Sequence, residues 1–131
     1  MKNIILDISK LIGFFILMIV IDYIFYLRYF GPKWRTVIHK IMNGRMIPMR
    51  QHFAYPAYIL LLIALFYFPK NIQEAMLLGF LIYGVFDFTI MTLFSDIPFY
   101  YGLIDMVWGA LFMGFLYWIK SYIFYNKSIS I

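Results

Sequence analysis

The chain contains no cysteine, and that absence removes disulfides, thiolate metal sites and cysteine nucleophiles together while leaving the redox compartment open. Charge is nearly as scarce. Only 13% of the residues are charged, about half the roughly 25% usual in soluble domains. No polar stretch is long enough to fold as a separate catalytic domain. No basic helix with polar spacing is present, so nucleic acid is not an expected partner, and the net charge of +5 is the kind found beside anionic headgroups. No internal repeat, nucleophile motif or pair of histidines at metal-ligand spacing stands out. No cofactor and no metal are therefore expected, and nothing marks the chain as an enzyme.

What fills the chain is hydrocarbon: 65% of its 131 residues are hydrophobic. Such a chain reads as an integral membrane protein with one domain, 1–131, and a handful of spans of about 20 residues each. The first apolar run, Ile8 to Phe30, is broken only by Lys10, Asp22 and Arg28. It overruns the apolar core of a signal peptide and lacks a small-residue cleavage site, so it reads as a retained helix. A loop, 31–52, follows with Lys33, Arg35, Lys40, Arg45 and Arg50 and no acid. Within it Trp34, Val37, Ile38, Ile41 and Met42 are spaced for a short amphipathic helix on the membrane surface, with anionic headgroups as its partner. The second run, 53–68, is short, rising roughly 24 Å. The turn 69–74 offers Asn71 as a helix cap. Spans at 75–94 and 99–119 flank the break at 95–98, where Pro98 suits the first turn of a new helix, and a basic tail closes the chain. The expected fold is all-α: a membrane four-helix bundle with one basic amphipathic loop between the first two spans.

Three aspartates inside these runs carry the chemistry. Asp22 lies eight residues before Phe30, Asp87 seven before Phe94 and Asp105 six after Phe99, so the three carboxyls come to about 9–12 Å below one membrane face. Facing lipid would cost roughly 2.5–3.5 kcal/mol for each charge near the bilayer centre. They are therefore expected to turn inward and meet. Helical spacing places Tyr83 one turn from Asp87, Tyr26 one turn from Asp22, and Trp108 and Gly109 one turn from Asp105. Thr89 and Thr92 add hydroxyls near that depth. The second span brings His52, Tyr55 and Tyr58 at its loop end, with Arg50 at the boundary. Gly79, Gly84, Gly102, Gly109 and Gly114 mark places for close helix contact.

The combination of "IDYIF" at 21–25, "YGVFDFT" at 83–89, and Pro98 followed seven residues later by "DMVWG" at 105–109 resembles the domain of unknown function 2177 family of predicted membrane proteins. The resemblance extends over essentially the whole chain, including "YPAY" at 55–58 and "YFP" at 67–69. It implies an architecture and no activity. Asp22, Tyr83, Asp87, Thr89, Asp105, Trp108 and Gly109 fall on the family pattern. Phe86 stands where members usually have Tyr, and Ile90 where they have Asn. Members occur in bacteria and in large DNA viruses, so the implied location is a bacterial inner membrane, or a cellular or virion membrane.

Two classes of function fit these residues. In the first, the acid layer binds a proton, a cation or a basic or hydroxylated small molecule in a carrier or channel, since clustered carboxyls out of water can hold and release protons. A hard divalent ion on the three acids is a weaker branch. In the second class the acids only glue helices together in a structural or scaffolding protein, with a second copy or another membrane protein as partner. An enzyme acting on lipid headgroups is a distant third. Basic residues are divided six against five between the two faces, and their density in the first loop favours loops in the cytoplasm.

Overall fold

In a computed structural model, residues 2–43, 51–94 and 97–124 are described. They form five α-helices: α1 (Lys2–Phe25), α2 (Gly31–Ile41), α3 (Ala54–Tyr67), α4 (Ile72–Leu93) and α5 (Phe99–Ile123). Among the described residues, three are long and apolar enough to cross a membrane: α4, α5, and the stretch Ile4–Arg28 that α1 opens. Where a second span was expected the chain forms α3, an apolar helix of only 14 residues that falls short of the length of the other three, so four spans are not established. The first helix also starts earlier than expected, at Lys2.

The segment after α1 differs from the expected loop. Tyr26–Phe30 is one turn of π-helix that runs straight into α2, and the Gly31 N–H donates to the Tyr26 carbonyl, five residues back. The cause is Pro32, which lacks an N–H and whose ring would collide with the carbonyl four residues earlier in a regular helix. Widening the turn moves that carbonyl away. Gly31 completes the adjustment, because a β-carbon there would stand 2.5 Å from the Tyr26 carbonyl oxygen. The helical path thus continues unbroken from α1 into α2. At its far end Asn43 takes φ +53°, a left-handed conformation that asparagine tolerates better than most residues.

Helix α2 packs against the bundle. Val37 is buried with Ile97 and Tyr101, and Trp34, Ile41, Ile90 and Met91 pack around them. The Tyr101 hydroxyl donates to the Lys33 carbonyl at 3.3 Å. The expected amphipathic helix exists, therefore, but much of its apolar face is spent on α4 and α5.

Helix α4 begins where its sequence says it should. Asn71 accepts from the Glu74 N–H at 2.9 Å, and the Glu74 carboxylate accepts from the Lys70 N–H at 2.7 Å. This reciprocal pair satisfies donors that the first turn would leave unpaired. Pro98 sits one residue before α5, as its cap residue in extended conformation.

Helices α4 and α5 form a tight antiparallel pair. All five of the expected glycines carry the contact from one end to the other: Gly114 faces Met76, Gly79 and Gly109 face each other's backbone, Gly84 faces Met106 and Gly102 faces Met91. Flexible methionines fill the space the glycines leave. Helix α5 is the hub, touching α1, α3 and α4. The main core, Phe14, Met18, Leu65, Ala75, Phe112, Met113 and Leu116, joins all four. Helices α3 and α4, by contrast, come into close backbone approach at few points beyond the turn that joins them.

Candidate functional site

A cavity of about 460 Å³ lies at the end of the bundle nearest α2. Asp22 and Phe25 of α1, Tyr26 of the π turn, Trp34 of α2, Ala57, Leu60 and Leu61 of α3, Ile82, Tyr83 and Phe86 of α4, and Asp105 of α5 line it. Every helix contributes.

Asp22 is held from two directions. Trp108 on α5 donates its indole N–H to Oδ1 at 2.9 Å, and the Tyr58 hydroxyl on α3 donates to Oδ2. The Trp108 ring is itself fixed between Phe25, stacked at 4.0 Å and 5°, and Phe112 at 5.5 Å and 18°. One carboxyl therefore ties three helices, and aromatic stacking sets the direction of one of its donors.

Asp87 and Asp105 present the opposite case. They are the buried charged residues of the described chain, at 5% and 9% exposure, and they neighbour each other across the α4–α5 contact. Asp87 Oδ2 is fully buried with no hydrogen-bond partner. Two adjacent carboxyls are both acceptors when ionised and can bond to each other only if one carries its proton. Asp105 lines the cavity. Tyr83, also in the wall, lies within electrostatic range of all three aspartates and of Tyr58.

The remaining expected site residues lie elsewhere. Thr89 is exposed on a different face of α4, where its hydroxyl donates to the Val85 carbonyl at 2.6 Å and it lines a shallow groove with Leu81, Phe88, Thr92 and Met106. His52 and Tyr55 are exposed outside the cavity. Of the residues expected at the membrane surface, Arg35 and Lys40 are exposed on α2 and Lys33 is half-buried. Trp34 turns inward, packing on Tyr101 at 6.3 Å and walling the cavity. Arg45 and Arg50 lie outside the described residues. Phe25, Ala57, Leu60 and Phe86 were not singled out by sequence; periodicity offered a signal only for Ala57 and Leu61, which lie on Tyr58's side of α3.

Chemically, the cavity pairs apolar and aromatic walls with acceptors at its base. Its size is within the roughly 300–1,000 Å³ of small-molecule sites, and so is its pattern of a few polar groups in an apolar lining. Among the described residues, no three His, Cys, Asp or Glu side chains are grouped to hold a metal ion.

Comparison with curated proteins and with solved structures returns no match. Residues 8–122, which include all five helices in whole or in large part and every residue of the cavity, match a family described as predicted membrane protein (DUF2177). The chain belongs to that family of membrane proteins.

Proposed function

We propose that the chain is a four-span membrane carrier, with α3 as the short fourth span, whose cavity binds a small molecule bearing a cationic or hydrogen-bond-donating group on an apolar body. The observation that carries this reading is Asp105, buried at 9% exposure on the cavity wall beside a second buried carboxyl, Asp87, whose Oδ2 has no hydrogen-bond partner. A buried polar group without a donor costs free energy that an incoming N–H or O–H would recover. The aromatic wall of Phe25, Tyr26, Trp34 and Tyr83 suits a cation as well. The basic outer face of α2, with Arg35 and Lys40, would rest on anionic headgroups in this reading.

Asp22 favours a second, structural role. Its donors come from two other helices, as expected of a residue that holds a bundle together. The two roles divide among the acids: Asp22 fastens, while Asp105 and Asp87 receive.

Calorimetric titration of hexylamine into the protein in lipid nanodiscs tests the reading. Hexylamine should bind, and Asp105→Asn should weaken binding by at least about tenfold, the equivalent of one charge-assisted hydrogen bond, with melting temperature retained. Saturable binding that Asp105→Asn and Asp87→Asn both leave unchanged, or no binding at all, would overturn it.

A further inference from the structure

We infer that the cavity is loaded sideways from the bilayer, through a mouth between α3 and α4, and that its ligand is a lipid-soluble amphiphile whose head donates hydrogen bonds and bears no negative charge. The inference rests on the binding reading above and adds the route and the class of ligand.

The mouth is located by exposure. Of the residues lining the cavity, those from α1, the π turn, α2 and α5 are all buried or half-buried, and so are Leu61, Ile82 and Tyr83. The exposed ones are Ala57 and Leu60 on α3 and Phe86 on α4, with Leu60 at 67% and Phe86 at 60%. These flank the cavity where α3 and α4, which approach closely at few points, both line it. The cavity is therefore covered by Tyr26 and Trp34 at the α2 end and open on its flank. An aqueous entrance would carry polar groups at its rim, since water must be held there. This rim is Ala, Leu and Phe, and on helices of a membrane protein it faces acyl chains.

The interior restricts what can pass. Behind the exposed Leu60 and Phe86, the half-buried Leu61, Ile82, Tyr83 and Asp22 and the buried Asp105 line the cavity. The order is apolar outside and acceptor inside, so an alkyl chain would lie in the mouth with its head on the carboxyls. Asp105 and Asp22 in the wall, with Asp87 beside Asp105, disfavour phosphate and carboxylate heads, and a bare alkane would leave the unpartnered Asp87 Oδ2 and its neighbour Asp105 without a new donor. An alkylamine or a long-chain alcohol satisfies both ends.

The absence of native cysteine makes the mouth easy to close. In a Leu60→Cys/Phe86→Cys double variant, a cleavable bis-maleimide bridges the rim, and a dodecylamine carrying a photoreactive diazirine is supplied in the nanodisc lipid. Photolabelling of cavity peptides should be strong in the unbridged double variant, fall on bridging to the level of Asp105→Asn, and return on cleavage of the bridge. The matching dodecyl phosphate probe should label none of these peptides above background. The unbridged variant, checked for an unchanged melting temperature, separates blocked access from misfolding. Labelling that survives an intramolecular bridge while still requiring Asp105 would overturn the lateral route and leave the pocket intact, with hexylamine titration as the independent check on that pocket. A bridge that forms between two chains would also overturn it, by showing that the mouth is a seam filled by a second copy. Equal labelling by the phosphate probe would overturn the ligand class.

Discussion

Asp22 and the Asp87–Asp105 pair make different predictions because their hydrogen bonds are completed differently. Trp108→Phe keeps the stack on Phe25 and Phe112 but removes the donor to Asp22 Oδ1. Interhelical hydrogen bonds in membranes contribute about 0.6–2 kcal/mol, so this variant should melt at a lower temperature than the parent. In an Asp22→Leu background the same change should cost almost nothing further, a coupling that a double-mutant cycle in detergent reads directly. Additive losses would mean that the indole acts by packing alone. At the pair, Asp87→Asn replaces an orphaned acceptor with a group able to donate to Asp105. It should match or exceed the parent's melting temperature, whereas Asp87→Ala should fall below it. Equal losses from the two would show that the carboxyls do not bond to each other. That Asp22 and Asp105 would share a level, as they do in the cavity wall, was legible because depth along a helix follows from residue count alone. Thr89 was not, since a residue two after Asp87 points about 200° around the helix and leaves its face. Tyr58 could be named from its place in the second run, but its bond to Asp22 depends on how α3 is rotated, which an apolar helix without a polar stripe does not disclose.

At the scale of elements, the α4–α5 pair is held by close approach and so should be sensitive to single methyl groups. A β-carbon on Gly109 would stand 2.5 Å from Tyr83 Cγ and near the Gly79 carbonyl, and one on Gly79 would meet the Gly109 carbonyl. Gly109→Ala and Gly79→Ala should each destabilise by about 1–3 kcal/mol, the range for overpacking, and should displace Tyr83 from the acids. Gly13→Ala is the control, because nothing lies within 4 Å of a β-carbon there and alanine is the better helix former. Thermal melts of the three variants decide the matter: an equal loss at Gly13 would point to a general effect of glycine replacement and none at the helix contact. Span positions were readable from hydropathy to within a few residues, as at 75–94 against Ile72–Leu93. The π turn at 26–30 was not. Gly31 and Pro32 read as a stop, and only the π turn, whose hydrogen bonding has no sequence signature, lets the helix pass through them. The inward position of Trp34 follows from that continuity. An apolar stripe on a surface helix faces lipid, while the same stripe on a helix that runs on from α1 and packs on α4 and α5 faces the bundle.

At the scale of the molecule, the helices bury little of themselves in each other: 11% of the first apolar window, 17% of the α4 window and 39% of the α5 window. Leu77, Leu81 and Val85 on α4 and Leu103, Val107 and Leu111 on α5 are all exposed. In water such surfaces would drive association, since soluble monomers rarely expose large continuous apolar patches. In a bilayer they cost nothing. The distinction can be put to Leu111, the midpoint of the 25-residue α5, which is 56% exposed and touches neither the cavity nor the acids. In a water-facing helix Leu111→Lys would change stability by within about 0.5 kcal/mol, as surface changes usually do. At the centre of a span it should cost roughly 2.5–3.5 kcal/mol on the insertion scale. Moving the same lysine to Phe99→Lys or Tyr122→Lys, exposed positions at the two ends of α5, should remove most of that cost by letting the ammonium reach the interface. A translocon insertion assay on the three variants therefore gives a profile peaked at Leu111 if α5 crosses the hydrocarbon centre, and a flat profile if it does not. A flat profile would also remove the lipid-facing mouth, because the rim formed by Leu60 and Phe86 is a route for an amphiphile only when acyl chains lie outside it.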